Sequence, residues 1–141
     1  MIMNREYIIY EGTYFTIEWY YSDNGKSQPL EYFNNLNPSN QRKLLYLIKR
    51  IGDFGKISDK TKFMNENDGI YAFKPKPDRF LSFFTTGKKI VITNAFIKKT
   101  QKLPRNEKEL ALEAISKIKD FLGNCLLKFS EELFNLYIEW N

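Results

Sequence analysis

The chain has 141 residues, a formal net charge of +5, one cysteine and no histidine. That length fits one domain around one core, and the missing histidine excludes His-ligated zinc, histidine triads and imidazole general bases. Cys125 has no partner for an internal disulfide, which points to a reducing compartment, and the positive balance favours an anionic partner, nucleic acid first.

Residues 7–10 and 14–21 are rich in aromatic and β-branched side chains with Glu11-Gly12 between them, and predict two strands joined tightly. Residues 22–27 read as a loop. A short helix follows, capped by Ser27, with Pro29 in its first turn and Leu30, Phe33 and Leu36 turned inward. Asn37-Pro38 opens a second helix that carries Leu44, Leu47, Ile48 and Ile51 at helical spacing and ends at Gly52 or Gly55. Residues 57–68 are polar and assign to no element. Three apolar runs come next, 70–74, 79–85 and 89–97, and their short links require antiparallel hairpins, because a parallel crossover needs about a dozen residues or more. A third helix is expected from Pro104 to about Leu122, with Gly123-Asn124 as its stop, and a last helix over residues 126–138.

These elements predict an α+β fold: an antiparallel sheet of about four to five strands, helices packed on one face, and an extra C-terminal helix. Residues 1–141 form a single domain, with a core over about 14–122 and a helical extension over about 124–140. No apolar run approaches the roughly 20 residues that span a bilayer, and residues 1–6 lead into alternation, not into the apolar core of a signal peptide. A soluble, cytoplasmic protein with no membrane partner is expected.

The stretch from Ile90 to Pro104 organises the rest. It begins as a β-branched run, turns into Lys98-Lys99-Thr100-Gln101-Lys102, and meets a proline just where a helix opens. A buried strand thus delivers cations to its own C-terminal end beside a helix N-terminus, a suitable place to hold a phosphate chain.

Gly69-Ile70-Tyr71-Ala72-Phe73-Lys74, Arg79-Phe80-Leu81-Ser82-Phe83-Phe84 and Ala95-Phe96-Ile97-Lys98-Lys99-Thr100-Gln101-Lys102-Leu103-Pro104, with Glu107 and Ala111, carry a further signal. Together with Asn24-Gly25-Lys26-Ser27 before Pro29-Leu30-Glu31-Tyr32-Phe33, they resemble the phage-derived, HigB-like branch of the RelE/ParE superfamily. The resemblance covers roughly residues 14–122, and Phe-x-Lys-Lys-Thr-x-Lys-x-Pro is its most specific part. It implies a RelE-like fold and the toxin of a type II toxin–antitoxin system. The activity implied is that of an mRNA interferase, a metal-independent endoribonuclease that cuts messages on the ribosome. The partners implied are mRNA, the ribosome and a cognate antitoxin, commonly of helix-turn-helix type; no cofactor and no metal site is implied. Lys74 stands where that family commonly has arginine, and the segment after Gly123 lies outside the resemblance.

RNA cleavage without a metal needs a base for the 2′-hydroxyl, charge at the phosphorane, and an acid for the leaving oxygen. Lysine, tyrosine or a carboxylate must fill the first and third roles here. Lysine at about 10.4 and tyrosine at about 10 are poor bases near neutrality unless neighbouring cations lower them. Arg79, with its fixed fork of donors, is the candidate for the scissile phosphate, Lys98 and Lys99 for the same cluster, and Tyr71 for an acid, a base or a stacking platform. Lys74, Lys76, Lys102 and Arg105 are candidates for binding the RNA backbone. Each has a plainer reading: a surface arginine paired with a carboxylate, solvated lysines guarding a strand end, a buried strand tyrosine. Two other functions stay open, a ParE-like toxin that poisons gyrase by protein contact and a nonenzymatic nucleic-acid-binding phage accessory protein.

Overall fold

The computed structural model describes residues 7–55 and 57–127, of which 121–127 by their backbone alone. The elements run β1 (Ile8–Glu11), β2 (Thr16–Trp19), α1 (Gln28–Asn34), α2 (Pro38–Phe54), β3 (Phe63–Asn65), β4 (Tyr71–Phe73), β5 (Asp78–Thr85), β6 (Lys89–Ile97) and α3 (Arg105–Leu127). The six strands form one sheet in the order β1-β2-β6-β5-β4-β3. The expected α+β class is what the structure shows. Among the described residues no helix is long and apolar enough to cross a membrane.

Three details differ from the expectation, each for a physical reason. First, the sheet is not wholly antiparallel: β2 and β6 pair in parallel, Ile17 beside Ile90 and Trp19 beside Ile92. The two helices and two hairpins between them supply the long crossover that a parallel pair requires. Second, β3 lies in the run that assigned to no element, because of its three residues only Phe63 is buried and a single apolar side chain has no period. Third, helices cover both faces. Leu44, Leu47, Ile48 and Ile51 of α2 share one cluster with Ile17, Trp19, Phe73, Phe80, Ile90 and Ile92, with Leu30 and Phe33 of α1 packed against it, whereas Ala111 and Ile115 of α3 cluster with Ala72, Leu81, Phe83, Val91 and Phe96. β5 and β6 are buried at nearly every position, so leaving either face bare would expose a wide apolar surface.

The helix starts follow local chemistry. Ser27 accepts from the Leu30 N–H at 3.4 Å, and Asn37 accepts from the Asn40 N–H at 2.8 Å with Pro38 behind it. α2 ends at Gly55, whose φ of 84° is the left-handed conformation that favours glycine. Gly52 stays inside the helix, where the backbone of the β1–β2 turn lies directly on it. The Tyr14 and Phe15 N–H groups donate to the Gly52 carbonyl at 2.7 and 3.0 Å, and a Cβ added to Gly12 would stand 2.2 Å from the Gly52 carbonyl carbon. α3 continues through Gly123-Asn124 to Leu127, so the expected stop does not act there. The further helix expected over 126–138 falls mostly outside the described residues.

A bulge in β6 decides which side chains meet. Leu81 pairs with Asn94 but Ser82 pairs with Ile92, which leaves Thr93 as the extra residue. Its hydroxyl lies 3.2 Å from the Leu81 carbonyl and 2.6 Å from Asn94 Oδ1. The extra residue reverses the alternation: Ile90, Ile92 and Ala95 face α1 and α2, and Val91 and Phe96 face α3. Past the bulge β2 has ended, and the Gln28 side-chain amide takes its place on Ala95, accepting from its N–H and donating to its carbonyl, both at 2.8 Å.

Candidate active site

Antiparallel pairing of β4 with β5 and of β5 with β6 brings Lys74, Arg79 and Lys98 to one end of the sheet, on the face that α3 covers. There a concavity of about 220 Å³ is lined by Lys74, Arg79, Lys98 and Lys102, by Glu66, and by an apolar floor that includes Ala72, Leu81 and Phe96. Leu103 and Pro104, just ahead of α3, close one wall. Lys98 reaches it because the bulge puts Phe96, and with it every second residue onward, on this face.

Arg79 is the least accessible of the cations, 6% exposed. Its Nη1 donates to the Asp78 carbonyl at 2.9 Å, and among the described residues it forms no ion pair with a carboxylate. Burial pulls its proton affinity below the usual range, against the opposing pull of Glu66 and Asp78. A guanidinium has five donors in a rigid fork, so most of its hydrogen-bonding capacity remains for an incoming anion. The plainer reading, an exposed arginine paired with a carboxylate, does not describe this residue.

Lys74 is half-buried, and its ammonium donates to the Lys60 carbonyl at 2.9 Å. Its pKa is lowered, first by burial and then by the charges of Arg79, Lys98 and Lys76, while Glu66 opposes the shift. This is the cationic crowding that a lysine base requires. The sequence showed the crowding along the chain but not its focus on Lys74.

The remaining candidates lie elsewhere. Tyr71 is on the opposite face, stacked on Phe63 at 5.5 Å between centroids and edge-on to Phe84 at 4.9 Å. Lys99 is exposed and does not line the concavity, since it points away from Lys98 at the strand end. Arg105 is 94% exposed and pairs with Glu109 one turn on, a surface contact of small energetic weight. Lys76 lies on the far side of Lys74, in a neighbouring cleft. Glu66 was not a sequence candidate, and an isolated glutamate in a polar run gives no signal of its own.

A larger cavity, about 420 Å³, lies between β2 and α3, but its cations are already neutralised. Lys89 pairs with Glu18 at 3.2 Å and Lys117 with Asp23 at 2.6 Å. Of these two, the smaller concavity is the one whose positive charge is left over.

A six-stranded sheet with helices on both faces and a cationic hollow at the ends of β4, β5 and β6 defines a RelE-like α+β protein. The family model described as Phage derived protein Gp49-like matches residues 31–116, more than half of the chain. The protein therefore belongs to the Gp49-like family, a RelE/HigB-like toxin family of type II toxin–antitoxin systems, and membership implies an antitoxin partner. No curated protein matches the chain.

Proposed function

We propose that this protein is a HigB-like toxin acting as an mRNA interferase, a cytoplasmic endoribonuclease that cuts messages on the ribosome. One observation carries the reading: Arg79 is buried, with no carboxylate partner among the described residues, in a hollow that also holds Lys74, Lys98 and Lys102. A phosphodiester supplies the negative charge that such a hollow lacks.

In this reading Arg79 grips the scissile phosphate and takes up charge as the phosphorane forms. Lys74, in its neutral form, accepts the proton of the 2′-hydroxyl. The 2′-oxygen attacks phosphorus, the bond to the 5′-oxygen breaks, and Lys98 or Lys102 protonates that leaving oxygen. The products are a 2′,3′-cyclic phosphate and a free 5′-hydroxyl, with the protons balanced between two lysines. No metal is needed for these steps.

Adding the protein to a translation extract is expected to shorten mRNA at defined points while gyrase continues to supercoil DNA. Arg79→Ala is expected to lower the cleavage rate by about 10²–10³, the usual effect of losing one fixed charge donor at a transition state. Arg79→Lys, which keeps the charge but loses the fork, guards against a folding defect and should also lose most activity. Intact messages with blocked gyrase would assign the protein to the gyrase-poisoning class instead. Intact messages with active gyrase would leave a nonenzymatic nucleic-acid binder.

A further inference from the structure

The concavity does not end at Lys74. That side chain also borders a second cleft of about 200 Å³ on the other side of the sheet edge, lined by Lys43, Tyr46, Leu47, Lys62, Lys74, Pro75 and Lys76. Among the described residues four lysines line it and no carboxylate does. Among the described residues none of the four forms an ion pair. Lys62 and Lys76 also act on Asp59, whose pKa is held down first by hydrogen bonds from Thr61 and then by these two charges.

We propose that this cleft is a second RNA-binding site, gripping the sugar–phosphate backbone beyond the cut position. The proposal rests on the reading of the protein as an RNA-cutting toxin. Three features support it. The two hollows share Lys74, so the positive surface is continuous around the edge formed by β3 and β4. The Lys43 ammonium donates to the Lys76 carbonyl at 3.3 Å, which holds helix and turn together and leaves two of its donors free for phosphate oxygens. Tyr46, 61% exposed at the rim, offers a ring face for an unstacked base, with Arg50 lying 5.9 Å from its centroid. Positive charge that tracks a strand, with an aromatic platform beside it, is how single-stranded nucleic acid is held without sequence preference.

The same chemistry fits a message strand or folded ribosomal RNA, so the test has an arm for each. Full-length protein is titrated into a fluorescent 2′-O-methyl oligoribonucleotide of about 12 residues, which binds but is not cut, and anisotropy is read across salt concentrations. Lys43→Ala with Lys62→Ala is expected to weaken binding several-fold and to flatten the log–log salt slope by about 1.4, two phosphate contacts at about 0.7 each. Lys26→Ala with Lys119→Ala removes the same charge outside both hollows and should leave affinity nearly unchanged. In the second arm the same proteins are co-sedimented with ribosomes.

Loss confined to the oligoribonucleotide supports the message strand, and loss confined to ribosomes supports folded RNA. Equal behaviour of the two double variants in both arms overturns the proposal. So does an equal loss of affinity for a polyglutamate peptide, which would make the cleft a dock for an acidic protein segment. The oligoribonucleotide is never cleaved in this assay, so an inactive protein can still pass it; failure of the nuclease reading and failure of this site are told apart.

Discussion

Lys74 and Arg79 stand one step past the Phe73–Phe80 pair on neighbouring strands, so a half-buried amine and a buried guanidinium share one wall of the cationic hollow. Two like charges in that position are unfavourable to each other; Glu66 acts against both of them, and Asp78 against Arg79. An arrangement that costs stability and is relieved by an anion is the expected mark of a binding site.

The pH dependence of cleavage follows from this pair. Burial, then Arg79 and Lys98, lower the pKa of Lys74, so its neutral form appears at a lower pH than for a free lysine. The base must be neutral, so the rate should rise with pH through that lowered value. Lys98→Gln removes one of the cations, lets the Lys74 pKa climb, and should move the rising limb to higher pH whatever it does to the maximum rate. Lys74→Arg should remove the limb. A pH–rate profile whose limb stays in place in Lys98→Gln would take the base role away from Lys74.

Tyr32 and Asp78 provide a stability test behind the hollow. The Tyr32 hydroxyl donates to Asp78 Oδ1 at 2.5 Å, and Asp78 is 2% exposed with Oδ2 unpartnered among the described residues. Tyr32→Phe would leave the whole carboxylate without a donor, at a cost of about 1–3 kcal/mol at neutral pH. The Tyr32 pKa is raised, first by burial and then by Asp78. A raised pKa means the contribution is complete below the ordinary tyrosine value of about 10 and is lost as pH climbs beyond it. Urea midpoints of the two proteins should therefore differ at pH 7 and converge in strong alkali. Equal midpoints at pH 7 would show that the contact contributes nothing.

Gly12 makes a purely steric prediction. Its Cα faces the Gly52 backbone so closely that an added methyl would meet the carbonyl carbon at 2.2 Å and the oxygen at 2.3 Å. Backbone atoms of a helix cannot turn aside as a side-chain tip can. Gly12→Ala should destabilise the fold by about 1–3 kcal/mol or more, seen as a lower thermal midpoint, while Gly55→Ala would meet no atom and suffer only from its positive φ. Unchanged stability of Gly12→Ala would mean the turn and α2 are not held at this separation.

By itself the sequence determined what is local. Ser27 and Asn37 announced their helices by side-chain oxygens placed ahead of proline, and the runs at 70–74, 79–85 and 89–97 announced their strands by composition and their antiparallel pairing by short links. Lys98 and Lys102 were legible as a cluster because they are neighbours along the chain. Arg79 was legible only as an arginine in a strand; that it is buried, with no carboxylate partner among the described residues, depends on what packs around it. Tertiary structure alone decided the rest. Whether Lys98 or Lys99 enters the hollow depends on the parity of β6, which one bulged residue, Thr93, reverses. Tyr71 went to the opposite face for the same kind of reason, since side chains alternate and a strand's outward face is fixed only by its neighbours. Lys43 and Lys62, far from Lys74 along the chain, join it only because α2 and the end of β4 fold to one edge. Spacing along the chain records neighbours within an element; which elements become neighbours is set by the surfaces they have to bury.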